Sequence, residues 1–107
     1  KEVYITGGGD CLCYDAISGR YFTSDKNTIE KAENVLNKQM LSEMYISLND
    51  FYDEVGLARV DIGDELGWKL DDGLVEIHFD THIADNGKPC LVVDYNISPR
   101  YGYDKFA

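Results

Sequence analysis

The stretch Leu74 to Ile97, LVEIHFDTHIADNGKPCLVVDYNI, leaves the chain few ways to fold. Two runs of alternating apolar and polar residues flank Asp85-Asn86-Gly87, the pattern of a β-hairpin. The loop that closes it decides which side chains share a face, because a one-residue slip turns a strand's whole apolar set over. A two-residue Asn86-Gly87 turn pairs Phe79 with Asp94 and mixes the faces. A three-residue loop between Ala84 and Lys88, with Gly87 left-handed, pairs Thr81 with Leu91, Phe79 with Val93, Ile77 with Tyr95 and Val75 with Ile97. The apolar residues then lie together, so the second register is expected.

The same register sets Glu76 opposite Asn96, His78 opposite Asp94, Asp80 opposite Val92 and His82 opposite Cys90. Both histidines of the chain fall on this face, so His78, Asp80, His82, Cys90 and Asp94 form a candidate polar site. A strand rises about 3.3 Å per residue, which puts His78 and His82 about 13 Å apart, too far for one zinc ion. His82 with Cys90 has the makings of a base and a nucleophile. That chemistry needs an orienting third group and an oxyanion hole, and the sequence places neither. A half-solvated antiparallel sheet alternates in the same way.

The other elements follow from periodicity and punctuation. Trp68-Lys69-Leu70 reads as a strand, and Asp71-Asp72-Gly73 as the turn that feeds it into the hairpin. Ile29, Ala32, Leu36 and Met40 recur at helical spacing, with Val35 and Met44 beside them, behind an N-cap at Ser24 or Asp25. This predicts a helix over about 25–43. Ser47 with Asp50 makes a partial capping box, Leu48, Phe51, Tyr52 and Val55 form one face, and Gly56 ends a short second helix. CLCYD and RYFTSD, joined by AISG, predict an N-terminal hairpin, and EVYIT a short strand. The glycines at 7–9 form a turn or linker. A phosphate loop needs Lys-Ser/Thr after them, and Asp10-Cys11 stand there instead.

The expected fold is α+β: an N-terminal β-hairpin, one long amphipathic helix and one short helix packed on a C-terminal antiparallel three-stranded meander. It occupies a single domain over 1–107, with 1–9 as a linker or edge strand. The helix stripe should cover Val75, Ile77, Phe79, Val93 and Tyr95, with Trp68 at the edge of that core, because each element has one apolar face to bury.

The acidic run VDIGDELGWKLDDGLVEI, residues 60–77, invites a test against calcium spacing. Counted from Asp61, Gly63 stands at position 3 and Leu66 at position 6, so an EF-hand loop fails. Asp61, Asp64 and Glu65 are left as candidate ligands of an irregular cation site. Gly63 and Gly67 read as punctuation between the helical half and the sheet. Cys11, Cys13 and Cys90 are odd in number, which points to a reducing compartment, and one C-x-C lacks the second pair of a zinc knuckle. No cofactor is expected.

Net charge is −10, with 20 acidic against 10 basic residues. Such a chain repels nucleic-acid backbones and anionic membranes but can meet a basic protein surface. The carboxylates are scattered, as solubility requires, although an acidic chain can also mimic nucleic acid. No apolar run is long enough to span a bilayer. The terminal SPRYGYDKF offers Tyr101 and Tyr103 as candidate partner contacts, unless it docks back on the domain.

Five stretches taken together, CLCYDAISGRYFTSD, KAENVLNKQM, EMYISLNDFYDEVGL, IGDELGW and PCLVVDYNISPRYGYD, resemble an uncharacterised protein family of phages and prophages of Gram-positive bacteria, mainly Firmicutes. The likeness runs from about Asp10 to Asp104. It implies a soluble C-terminal domain preceded in the full protein by apolar helical segments, which suits a chain that starts at Lys1. It brings no activity and no catalytic residues. The functional expectation is a non-enzymatic interaction or structural accessory domain with a protein partner. It would sit on the cytoplasmic side of the host cell or on a phage particle. The alternatives are an acidic inhibitor of a host nucleic-acid-binding or defence protein, and a metal-dependent or Cys/His hydrolase.

Overall fold

The hairpin closes in the register that its alternation demands. In the computed structural model, which describes residues 2–105, Ala84 N–H donates to Lys88 O and Gly87 N–H to Ala84 O, each at 2.9 Å. Gly87 has φ +83°, as the loop requires. The ladder pairs Ile77 with Tyr95 through Ile83 with Pro89 without a bulge. It stops short of the expected Val75–Ile97 pair. There the amide of Asn37 in the long helix accepts from Val75 N–H at 3.0 Å and donates to Val75 O at 2.9 Å, as a neighbouring strand would.

The chain runs β1 (Val3–Ile5), β2 (Cys11–Asp15), β3 (Tyr21–Ser24), α1 (Lys26–Glu43), β4 (Tyr45–Ser47), α2 (Leu48–Val55), β5 (Leu66–Lys69), β6 (Ile77–Ile83), β7 (Pro89–Tyr95) and β8 (Arg100–Tyr101). Short 3₁₀ turns at Asp61–Asp64 and Leu70–Asp72 flank β5. Five strands form one sheet in the order β1-β3-β2-β7-β6, and three form a second in the order β4-β5-β8. β1 lies parallel to β3, and β2 parallel to β7. The fold is α+β, but the three-stranded meander is not found. The strand at Trp68 pairs with β4 and β8 rather than with β6, whose outer edge near Val75 and Ile77 is occupied by α1 side chains.

Both helices form as their caps dictate. Asp25 accepts from Thr28 N–H at the start of α1, which buries Ile29, Ala32, Leu36 and Met40. Val35 and Met44 stay largely exposed, and Met44 takes the left-handed conformation that ends the helix. Ser47 and Asp50 complete a reciprocal capping box on α2, and Gly56 closes it at φ +81°. The N-terminal hairpin forms with Gly19 at φ +71°, and β1 adds to it as an edge strand. Trp68 is buried, with Nε1 donating to Ile97 O at 2.7 Å and its ring 5.4 Å from that of Tyr95.

A carboxylate lies inside this core. Asp15 ends β2 on the same face as Cys13 and is fully buried. Its Oδ2 accepts from Tyr52 OH (2.6 Å), Ser18 Oγ (2.6 Å) and Ser18 N–H (2.9 Å), and its Oδ1 from Tyr95 OH (2.7 Å). The Arg20 guanidinium lies 4.8 Å over the Tyr52 ring, donating through Nε to Ser18 Oγ and through Nη1 to Ala58 O. Burial, then the Asp15 charge, holds the Tyr52 and Tyr95 phenols well above their ordinary value of 10.0. Tyr103 is pushed up to about 12, chiefly by burial.

These shifts fix a pH dependence. The unfolded chain releases phenol protons near pH 10 while the folded chain keeps them, so stability is complete below that pH and is lost above it. Each retained proton costs the fold about 1.4 kcal/mol per pH unit above 10. Denaturant unfolding followed by circular dichroism should show stability falling from about pH 10 upward, with a shallower fall in Tyr52→Phe. A flat profile to pH 11.5, or a rise, contradicts the assignment.

Candidate functional site

Strand alternation assigns two faces to the five-stranded sheet. Cys13, Asp15, Phe22, Val93 and Tyr95 face α1 and α2 and are buried. The opposite face has no helix on it. Successive registers align Val3, Tyr21, Tyr14, Val92 and Asp80 in one row across all five strands. The rings of Tyr14 and Tyr21 stand 4.9 Å apart, tilted by 54°. Tyr14, Tyr21, Val92, Cys90 and His82 line a cleft of about 350 Å³. The hairpin end bends over the same face, where Ala84, Asp85 and Asn86 share a smaller cavity with Val3, Leu12 and Tyr21. The face is therefore concave, apolar and aromatic in its middle, with Glu76, His78, Asp80 and Asp94 exposed on its hairpin side.

All five residues of the predicted polar site lie on this face, in the expected register. The structure does not join them into a reaction centre. Both histidines join the strand ladder through their backbones, but among the described residues neither His78 nor His82 makes a side-chain hydrogen bond that would fix its ring. Cys90 is buried, its Sγ meets only Leu91 O at 3.8 Å, and burial pushes its thiol up. An activated thiol needs the opposite shift. Cys13 is raised to about 12, first by burial, while Cys11 is exposed although it shares a face with Cys13.

The acidic run forms the two 3₁₀ turns on either side of β5, between α2 and the hairpin, as its reading as punctuation expects. Asp61 and Asp64 bound a 3₁₀ turn, and Asp64 is turned to Asn49 Nδ2 at 3.2 Å and Arg59 at 3.8 Å. Among the described residues, no three His, Cys, Asp or Glu are grouped to hold a metal ion. Neither Gly63, inside the 3₁₀ turn, nor Gly67, within β5, has a positive φ, so neither is required for its backbone conformation. They are sites of close approach. A Cβ on Gly63 would stand 2.0 Å from Asn49 Oδ1, and one on Gly67 would stand 2.2 Å from Ile46 O and 2.6 Å from the Tyr103 ring. Asn49 in turn clamps Val60 through both its N–H and its carbonyl.

Tyr103 is thus a core residue, its OH donating to Asp64 O at 2.8 Å and its ring packing on Tyr45. It is not available to a partner, whereas Tyr101 is 65% exposed. Phe106, the last aromatic of the terminal segment, lies outside the described residues. Tyr14, Tyr21 and Leu12, which form the middle of the open face, were not singled out by motif. Their signal was positional, because in CLCYD and RYFTSD they alternate with the inward residues.

The chain belongs to DUF6353, a family of unknown function, whose model matches residues 1–104. No curated protein and no solved structure matches it. No helix among the described residues is long and apolar enough to cross a membrane.

The thiols report directly on whether Cys90 is activated by His82. With a neutral disulfide reagent at pH 7.5, Cys11 should react in a single fast phase, and Cys13 and Cys90 only as the chain unfolds. Fast labelling of Cys90, lost in His82→Ala, would show an ion pair that the geometry does not provide.

Proposed function

We propose that this chain is a non-enzymatic interaction domain of a phage- or prophage-derived protein, and that its helix-free sheet face receives a basic, extended segment of a protein partner. One observation carries the reading: the helix-free, half-buried row Val3–Tyr21–Tyr14–Val92 runs into exposed carboxylates at Asp80 and Asp94. Parallel strand pairs are ordinarily covered on both faces, and β1–β3 and β2–β7 are covered on one. Contiguous apolar surface rimmed by polar groups marks interaction sites. A lysine or arginine side chain suits this surface, since its stem packs on apolar residues and its charge meets both the tyrosine rings and the carboxylates.

The phage setting is supported by the sequence resemblance, and the protein partner by the net charge of −10. Mimicry of nucleic acid finds less support. Exposed carboxylates occur on α1, α2, the 3₁₀ turns, the hairpin and the C-terminal segment rather than in one phosphate-like track.

Amide spectra recorded while titrating an unstructured Lys- and Val-rich peptide should shift at Tyr14, Tyr21, Asp80 and Val92. The paired substitution Asp80→Asn with Asp94→Asn should weaken binding about tenfold at low salt, and less at high salt. Shifts confined to other surfaces, or equal binding of an acidic peptide, would refute the reading.

A further inference from the structure

The outer edge of β6 is the longest strand edge that the five-stranded sheet leaves open, and its use can be read residue by residue. Asn96 N–H donates to Glu76 O and Ala84 N–H to Lys88 O, so the even-numbered residues of β6 bond to β7. Antiparallel alternation then turns the N–H and C=O of Val75, Ile77, Phe79, Thr81 and Ile83 outward. Helix α1 caps the first two. Asn37 bonds both backbone groups of Val75, and Glu33 accepts from Ile77 N–H at 2.6 Å. Beyond Ile77 the cover ends. Thr81 N–H meets only the neighbouring Asp80 carboxylate, at 3.0 Å, and Ile83 is 62% exposed. Native edges are usually blunted by charged side chains, proline or a bulge; Phe79–Ile83 has neither proline nor bulge, and its one carboxylate, Asp80, is accommodated in the pairing set out below.

The open segment is complementary to itself. Paired antiparallel with a second copy about Thr81, it sets Thr81 against Thr81, Phe79 against Ile83, and Asp80 against His82, each contact occurring twice or on the axis. Threonine pairs and aromatic–aliphatic pairs are cross-strand neighbours that stabilise sheets, and the Asp80 carboxylate can accept a hydrogen bond from the His82 imidazole N–H across the same register. A shift to centre on Asp80 sets two carboxylates face to face, pairs His78 with His82, and needs the Ile77 N–H that Glu33 already holds. A shift to centre on His82 opposes the two histidines and runs into the loop after Ile83. Only the Thr81-centred register uses all the free edge and none of the capped edge.

We infer that this chain associates with a second copy of itself through the Phe79–Ile83 edges. The result is a two-fold symmetric, continuous sheet of both copies. The axis stands perpendicular to the sheet, so the helices of both copies lie on one side and both open faces on the other. The interface is isologous, as closed dimers require. Asp80 belongs to both this edge and the face proposed above for a partner, but Thr81 points to the other side of the sheet and belongs to the edge alone, so Thr81→Lys tests the edge without touching that face.

Sedimentation equilibrium across a concentration series tests this on the intact chain. Wild type should show a reversible monomer–dimer equilibrium. Thr81→Lys, which opposes two ammonium groups on the axis, should abolish it. Asp80→Lys should weaken it about tenfold, since each lost carboxylate–imidazole contact is worth up to about 1 kcal/mol and the contact occurs twice. Combining Asp80→Lys with His82→Glu should restore it to within about threefold of wild type, because a lysine then faces a glutamate twice across the same register. All of these side chains are exposed, so unchanged circular dichroism should accompany each variant. A wild type that stays monomeric to about 1 mM overturns the inference, as does a dimer insensitive to Thr81→Lys or one that the exchanged pair does not restore.

Discussion

The structure depends on one buried carboxylate. Removing Asp15 from water is expensive, and the expense is offset only when its lone pairs are filled with good geometry. Four donors fill them, and they come from places far apart in the chain. Ser18 belongs to the turn after β2, Tyr52 to α2 and Tyr95 to the end of β7. Tyr52 and Tyr95 are 37 and 80 residues from Asp15 in sequence. Their hydroxyls reach it together only if β2 and β7 are neighbours and α2 crosses their end. A fold that misplaced any of the three elements would leave a buried charge short of donors, so the network specifies the arrangement as well as stabilising it.

That specification determines what the rest of the surface can do. With Asp15, Phe22, Val93 and Tyr95 turned toward the helices, strand alternation turns Tyr14, Tyr21, Val92 and Leu12 the other way. No helix covers them, although the hairpin end bends over part of their face. The face is open because both helices and the second sheet are used around the carboxylate and the Trp68–Tyr95 contact. Helix α1 then serves twice. Its buried stripe covers the core, and Glu33 and Asn37 on its flank cap the start of the β6 edge. What is left uncapped is short, regular and self-complementary.

Local signals were legible and non-local ones were not. The hairpin register followed from alternation and one loop; the N-cap and apolar periodicity placed the first helix, and a capping box and a terminal glycine the second, to within a residue or two. The partners of the Trp68 strand could not be read, because β4 has three residues and β8 has two, too few to show a period. Gly63 and Gly67 looked like punctuation because the side chains that exclude a Cβ there, Asn49 and Tyr103, arrive from elsewhere in the chain. The site residues were placed in register correctly. Whether His82 would have an orienting partner lay beyond any spacing argument. Asp15 was within reach of the sequence. It continues the inward parity of Cys11 and Cys13, and an inward Asp in a strand calls for donors.

The central claim is that Asp15 couples β2, α2 and β7. Denaturant unfolding of wild type, Asp15→Ala, Tyr95→Phe and the double variant measures that coupling in a cycle. Asp15→Ala should cost about 3–5 kcal/mol, because two phenols and a hydroxyl lose their acceptor inside the core. Tyr95→Phe should cost less in the Asp15→Ala background than in wild type, with a coupling of about 1–3 kcal/mol. Additive losses, within about 0.5 kcal/mol, would show that the buried carboxylate is a passenger in a core held by other contacts.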